Sequence, residues 1–185
     1  MNSAGDRVEY EKTWLQMDRR PDNPPPERQD ATIIEAAGFP EWYFFSLYDA
    51  VGQDYAWDDM HDLDADVVTD MLGDEDVRLF TMVRSGWPQG FHLLDFRQAG
   101  ICDIAYFGLV EQAVGQGYGG WLLDDAIARG WRRPGTRMLT VNTCTLDHPA
   151  ALTLYEGRGF TQIRRETMSR ILKRDLRIPS PRKDT

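Results

Sequence analysis

Three apolar, strand-like runs follow one another between Val77 and Val110, with gaps too short to hold a helix. They are Val77–Val83, Gln89–Arg97 and Cys102–Val110, and the gaps carry Ser85-Gly86 and Ala99-Gly100. A parallel neighbour needs a crossover of about a dozen residues or more, so these runs predict antiparallel strands joined by tight turns. The chain then changes character. Gly115 to Gly120 is rich in glycine, and Trp121 to Trp131 sets Leu122, Leu123, Ala126 and Ile127 on one helical face.

The rest of the chain extends this frame. Val8–Met17 reads as an initial strand and Thr32–Ala36 as a short one. Between them Pro21, Pro24, Pro25 and Pro26 exclude helix and central strand, so Arg19 to Gln29 is a stiff connector. Phe39–Val51 puts Phe44, Phe45, Leu47, Tyr48 and Val51 at helical spacing. Asp64 is placed to cap a second helix, with Val67, Val68, Met71 and Leu72 inward and Gly73 as its stop. Downstream lie a strand over Arg137–Thr145, a short helix opened by Pro149 and closed by Gly159, and a last strand over Thr161–Leu172. The order β-α-α-β-β-β-α-β-α-β, with one strand in front, predicts an α/β or α+β protein: a mixed sheet with helices on both sides. The expected division is a strand and connector over 1–30, one domain over 31–176, and a loose tail over 177–185. The extra first strand is open to two roles, a cover over the site or a contact in a homodimer.

Composition removes several classes of function. A chain of 185 residues suits one domain. No apolar run approaches the roughly 20 residues that cross a bilayer, and the first twenty residues mix Asp, Glu, Lys and Arg, unlike a signal peptide. A cytoplasmic location without membrane attachment is the expectation. Cys102 and Cys144 are too few for a disulfide framework or a zinc site, and His61, His92 and His148 are scattered, so no metal is expected. Each cysteine reads as a small buried strand residue. The net charge of −9 argues against nucleic acid, and its distribution says more. From Arg28 to Arg78 no Lys or Arg intervenes among fourteen acids, whereas Arg129 to Thr185 holds thirteen basic residues against five acids. The first stretch suits a cationic ligand and the second suits phosphates.

The segment Val114-Gly115-Gln116-Gly117-Tyr118-Gly119-Gly120 lies between a strand and a helix. A helix start carries unpaired N–H groups and positive potential, and glycines clear the approach of a pyrophosphate to them. Gly115, Gly117 and Gly120 also satisfy the dinucleotide pattern G-x-G-x-x-G. Two facts oppose a nicotinamide or flavin reading. The loop follows antiparallel strands instead of opening a βαβ unit, and Val141-Asn142-Thr143-Cys144-Thr145 lacks the ribose-binding acid at its end.

Ala105-Tyr106-Phe107-Gly108-Leu109-Val110, the loop, and Leu122-Leu123 together resemble motif A of the GNAT superfamily of N-acetyltransferases. That motif is a strand with a bulge, a [Q/R]-x-x-G-x-[G/A] loop and a helix. Gly117 and Gly119 match its small positions, while Val114 replaces the usual Gln or Arg. Downstream, Asp147-His148-Pro149-Ala150-Ala151-Leu152-Thr153-Leu154-Tyr155 with Gly159-Phe160 resembles the family's N-x-x-A-x-x-x-Y-x-x-x-G-F, His148 standing for Asn. The resemblance covers about Val77 to Leu172, and its wording is also similar to a bacterial GNAT subgroup.

The resemblance implies a GNAT fold with an extra N-terminal strand, and direct transfer of acetyl from acetyl-CoA, as co-substrate, to an amine. It makes Tyr155 the general acid at the departing thiolate and Asp103 the candidate base, directly or through a water chain. It assigns Leu109 and Val110 to the pantetheine arm, and Val114, Gly115, Gln116, Gly117, Tyr118, Gly119 and His148 to cofactor binding. Tyr48, Tyr55 and Trp57 are the acceptor candidates, with Asn142 and Thr143 to orient the acceptor. The acidic stretch adds a cationic acceptor: a polyamine, an aminoglycoside-like small molecule or a lysine side chain. A GNAT-like domain that binds CoA or a partner protein without catalysis is the alternative.

Overall fold

The computed structural model describes residues 3–22 and 24–176. It contains β1 (Arg7–Met17), β2 (Thr32–Glu35), α1 (Glu41–Gly52), α2 (Ala65–Gly73), β3 (Val77–Arg84), β4 (Trp87–Asp95), β5 (Ile101–Leu109), α3 (Tyr118–Arg132), β6 (Met138–Cys144), α4 (Ala151–Glu156) and β7 (Thr161–Ile171). The strands form one mixed sheet in the order β2-β3-β4-β5-β6-β1-β7. As the short turns require, β3, β4 and β5 are antiparallel, and β5 with β6 is the parallel pair across the α3 crossover. The tail expected from Arg177 lies outside the described residues. Among those described, no helix is long and apolar enough to cross a membrane.

Both faces carry a core. On one, Phe44, Leu47, Tyr48 and Val51 of α1 and Val68 and Leu72 of α2 pack on Leu79, Phe91 and Leu93. On the other, Leu123, Ala126 and Ile127 of α3, with Tyr155 and Phe160, cover Leu15, Phe80, Leu94, Ile104 and Val141. The helical spacing read from the sequence is borne out for α1 and α3. In α2 it is right for Val68 and Leu72 but wrong for Val67, which is 50 % exposed: a helix this short turns only a narrow stripe inward. Asp64 occupies the N-cap of α2 with extended backbone but makes no side-chain cap hydrogen bond. The helix after the glycine loop starts at Tyr118, earlier than expected, because only Gly115 and Gly117 of the loop adopt positive φ.

The first strand holds an unexpected position. β1 is no flap and no edge: it runs antiparallel to β6 on one side and to β7 on the other. Its buried residues Thr13, Leu15 and Met17 explain the choice, since a strand with an apolar inner row is stable between partners that satisfy both its edges. The proline-rich connector carries the chain from there to β2, at the far edge of the sheet.

Candidate active site

β5 and β6 pair only at Ile101–Met138, Cys102–Leu139 and Asp103–Thr140. Past those rungs β5 stays with β4 and β6 stays with β1, so the two strands part and leave a wedge lined by Ile104–Leu109 and Val141–Cys144. A bulge sits at the parting: Leu94 pairs with Ile104 but Leu93 with Tyr106, so Ala105 is skipped. The bulge reverses the facing of the strand beyond it. Ile104 belongs to the α3-side core, while Tyr106 turns to the α1 side against Phe44, Tyr48 and Trp57. Its neighbour Phe107 faces the other way, with its ring centroid 6.0 Å from that of Tyr155.

The glycine loop ends at the N-terminus of α3. Gly117 is its N-cap at φ 80° and no side chain caps the helix, so the first N–H groups stay available. A methyl group on Gly115 would meet nothing within 4 Å, which leaves that backbone bare. The backbone thus fits a pyrophosphate. Two arginines from the N-terminal half add positive charge: Arg28 lies 4.1 Å and Arg84 5.1 Å from the centroid of the Tyr118 ring. The connector is fastened here. Arg28 donates to the Gly117 carbonyl at 3.2 Å, Trp121 Nε1 to the Pro26 carbonyl at 2.9 Å, and the Tyr118 hydroxyl to Asp30. Arg84 also holds the Gln116 side chain at 3.2 Å. Val114 marks the loop's start by an N–H bond to Glu111. Val110 is engaged within the protein, its N–H with Gln89 and its carbonyl with Ala113, which leaves Leu109 as the last residue of β5 beside the wedge.

Asp103 stands at the last paired rung, where its carboxylate accepts from Thr140 Oγ1 at 2.5 Å. Burial raises its pKa above the usual carboxylate value, against the effect of that hydrogen bond. Tyr155 is 5 % exposed, and burial first, then the charge of Asp147, pushes its phenol up. Its hydroxyl makes no hydrogen bond among the described residues. Asn142 lies on β6 beyond the parting, opposite Trp14 of β1, and buried Thr143 donates to Asp147 at 2.9 Å. His148 is exposed in the turn before α4, where its Nδ1 accepts from the Ala150 N–H at 3.1 Å; its ring is 6.4 Å from Tyr55. It is thus next to an acceptor candidate as well as to α4. Both cysteine thiols are pushed up by burial, Cys144 to about 12, so neither is a thiolate at neutral pH. Among the described residues no group of three or more His, Cys, Asp and Glu is arranged to hold a metal ion.

On the α1 side the structure joins the acceptor candidates Tyr48, Tyr55 and Trp57 to Asp59, Tyr106 and Asp147, which the sequence did not single out; Tyr48 is fully buried, so it packs behind the site and does not face an acceptor as expected. Asp147 takes three hydrogen bonds: from Trp57 Nε1 at 3.1 Å, from Thr143 and from the Cys144 N–H at 2.8 Å. Trp57, from the loop after α1, therefore spans the mouth of the wedge, bound to Asp147 at one end and lying over Gly108 of β5 at the other. Asp59 accepts from the hydroxyls of Tyr48 at 2.6 Å and Tyr106 at 2.5 Å. Tyr55, half-buried, has its pKa raised by burial and then by the charges of Asp54, Asp147 and Glu111. Tyr106 and Asp147 were visible only as letters within motifs; alternation along β5 would have turned Tyr106 to the wrong face without the bulge. The charge asymmetry is partly cancelled by folding. Arg170 pairs with Asp58, Lys173 with Asp62, and Arg174 donates to the Trp57 carbonyl at 2.9 Å, so this part of the basic third turns to the acidic loop. Arg158 lies against Gly120 in the first turn of α3 and bonds Asp124 at 3.0 Å.

No protein-family model and no curated protein matches the sequence. Solved structures do. A GCN5-related N-acetyltransferase from Sphaerobacter thermophilus superposes with a TM-score of 0.60 at 17% identity, over 95% of this chain and 54% of its own. Another from Kribbella flavida gives 0.58 at 14% identity, over 88% and 58%. A GNAT acetyltransferase from Elizabethkingia anophelis, solved with acetyl-CoA bound, gives 0.52 at 20% identity, over 72% and 78%. The chain thus spans little more than half the length of the first two. Parted β5 and β6, a bulged strand before a glycine loop, and these superpositions agree: the chain has the fold of the GCN5-related N-acetyltransferases.

Proposed function

We propose that this protein transfers an acetyl group from acetyl-CoA to a primary amine of a cationic acceptor. The observation that carries the reading is the wedge between β5 and β6, reached by the uncapped N-terminus of α3 and by the Tyr155 side of the sheet at once. The acetyl-CoA-bound neighbour from Elizabethkingia supports the choice of donor. Backbone N–H groups of Gly117, Tyr118 and Gly119 hold the pyrophosphate, with Arg28 and Arg84 close by, and Leu109 borders the pantetheine arm. The donor supplies an activated acyl thioester.

The acceptor enters from the α1 side, past Trp57, Tyr55 and Asn142. Asp103 takes one proton from the ammonium, through water, and so frees a nitrogen lone pair. The amine nitrogen bonds to the acyl carbon as the C–S bond breaks, and the second proton of that nitrogen passes to solvent as the amide forms. Tyr155 gives its phenolic proton to the departing sulfur and recovers one from solvent, and its raised pKa keeps that proton in place at neutral pH. Titration calorimetry with acetyl-CoA tests the donor site, and an amine screen comparing wild type with Tyr155→Phe tests the chemistry. Saturable binding with a rate that falls in the variant supports the reading. Binding with no turnover of any amine favours a CoA-binding domain without catalysis, to which the Thr140-held Asp103 lends some support.

A further inference from the structure

Asp59 differs from its neighbours in what it binds. Asp58 meets Arg170, Asp62 meets Lys173, and Asp49 meets His61 at 2.6 Å. Asp59 receives a phenol on each oxygen instead, and no basic side chain among the described residues forms an ion pair with it. Arg174, whose charge is felt at Tyr48, spends its hydrogen bond on the Trp57 carbonyl. Phenols are neutral donors. Burial first, and the Asp59 charge after it, raise the pKa of both Tyr48 and Tyr106, so they keep their protons and act only as donors to Asp59. Asp59 itself is exposed. An ionised carboxylate has about four lone-pair sites, and the phenols use two. Next to Asp59 stand the partly buried rings of Trp57 and Tyr106, whose centroids lie 5.6 Å apart, with the fully buried Tyr48 behind them. A carboxylate among aromatic rings is a site for an alkylammonium group.

The position of this site selects which nitrogen it holds. Tyr106 and Phe107 are adjacent on β5 and face opposite ways, one to Asp59 and one to Tyr155. Asp59 and Tyr155 therefore flank one point of the wedge from opposite sides of the sheet. The phenol of Tyr106 stands between the β5 backbone and Asp59, so Asp59 is set back from the line on which transfer occurs. We infer that Asp59 anchors a second cationic nitrogen of the acceptor, which makes diamines and longer polyamines the preferred substrates over simple alkylamines. This rests on the acyltransferase reading for the identity of the reacting nitrogen, while the anchor itself is a binding property.

The test is calorimetric titration, with and without CoA, using 1,4-diaminobutane, butylamine, 4-amino-1-butanol and 4-aminobutanoate. Wild type is expected to bind the diamine about tenfold more tightly than butylamine or the amino alcohol, and 4-aminobutanoate least of all. In Asp59→Asn the diamine should fall to the level of butylamine, while butylamine itself and acetyl-CoA bind as before. Equal binding of diamine and 4-aminobutanoate by wild type overturns the inference with no variant needed. A diamine preference that survives in Asp59→Asn overturns it too. Absence of acetyl-CoA binding alongside an Asp59-dependent diamine preference refutes the donor reading and leaves the anchor standing.

Discussion

Asp103 and Thr140 share a 2.5 Å hydrogen bond across the last rung before β5 and β6 part. The bond fixes the carboxylate at the apex of the wedge, and burial makes its ionised form costly there. The folded-state pKa lies above the unfolded one, so the cost is absent below the unfolded value and sets in as pH rises through the raised value. Asp103→Asn keeps an oxygen for Thr140 and removes the charge. It should raise the unfolding free energy at neutral pH and leave it unchanged in acid. Acetyl transfer should fall on the order of a hundredfold, with the acidic limb of the pH–rate profile lost. Urea unfolding at two pH values and a pH–rate profile check both halves; an unchanged rate removes Asp103 from the mechanism.

Tyr155 gives a complementary pH prediction. Its phenol is raised by burial and by Asp147, so the folded state favours the neutral form. That contribution to stability is fully present below the unfolded pKa of about 10 and is lost as pH rises through the folded value. Tyr155→Phe should cut kcat by about ten- to a hundredfold and leave acetyl-CoA affinity within twofold, because the lost group acts on the departing sulfur. The wild-type rate should show no basic limb from this residue below about pH 10. A Tyr155→Phe enzyme with full kcat would contradict the assignment.

What was legible in the sequence was local, and what was hidden was brought together from afar. The strand–loop–helix passage through Gly117 and Gly119 and the run from Ala151 to Phe160 could be read because each is a short segment whose spacing mirrors its own backbone. β3, β4 and β5 were placed by turn length alone. Nothing local told β1 to enter the sheet between β6 and β7: its partners, such as Val141 and Met168, lie more than a hundred residues downstream. The same holds for Arg28 at Gly117, for Asp147 at Trp57 and for Asp59 at Tyr106, each a long-range hydrogen bond. Charge runs misled for a related reason. The acidic loop and basic C-terminal third looked like two separate surfaces, yet Arg170–Asp58 and Lys173–Asp62 join them.

Trp57 owes its seat to two glycines. A methyl group at Gly52 would run into Trp57 Cβ, and one at Gly108 into Val51 Cγ1 with Trp57 Cη2 at 3.5 Å. Both contacts are with packed side chains, so Gly108→Ala should cost about 1–3 kcal/mol by overpacking. It should also shift the indole off Asp147 and raise the acceptor KM more than it changes acetyl-CoA affinity. Trp57→Phe fills most of the same space and leaves Asp147 Oδ1 without its N–H donor, for a cost of about 1 kcal/mol. Urea denaturation with steady-state kinetics on both variants separates the two effects. A Gly108→Ala protein of wild-type stability would mean that Val51 and Trp57 can give way, and that the wall of the wedge is softer than their packing indicates.

Among the described residues β7 pairs with one strand, β1. Removing residues 1–18 would therefore strip β7 of its pairing, expose the free edge of β6 and uncover the core beneath Leu15 and Met17, which are 0 % and 3 % exposed. A strand with that burial cannot be replaced by solvent, so the truncated chain should fail to give a cooperative unfolding transition. The point-mutant form of the prediction is sharper. Leu15→Ala should destabilise by about 2–5 kcal/mol through transfer and cavity costs. Ile171→Ala, at a residue 55 % exposed on β7, should stay within about 0.5 kcal/mol of wild type. The comparison distinguishes a central β1 from a dispensable one. If Leu15→Ala were as mild as Ile171→Ala, or the truncated chain unfolded cooperatively, then β7 would have to pair with β6 directly once β1 is gone, and the N-terminal strand would be an accessory of the sheet and not one of its inner strands.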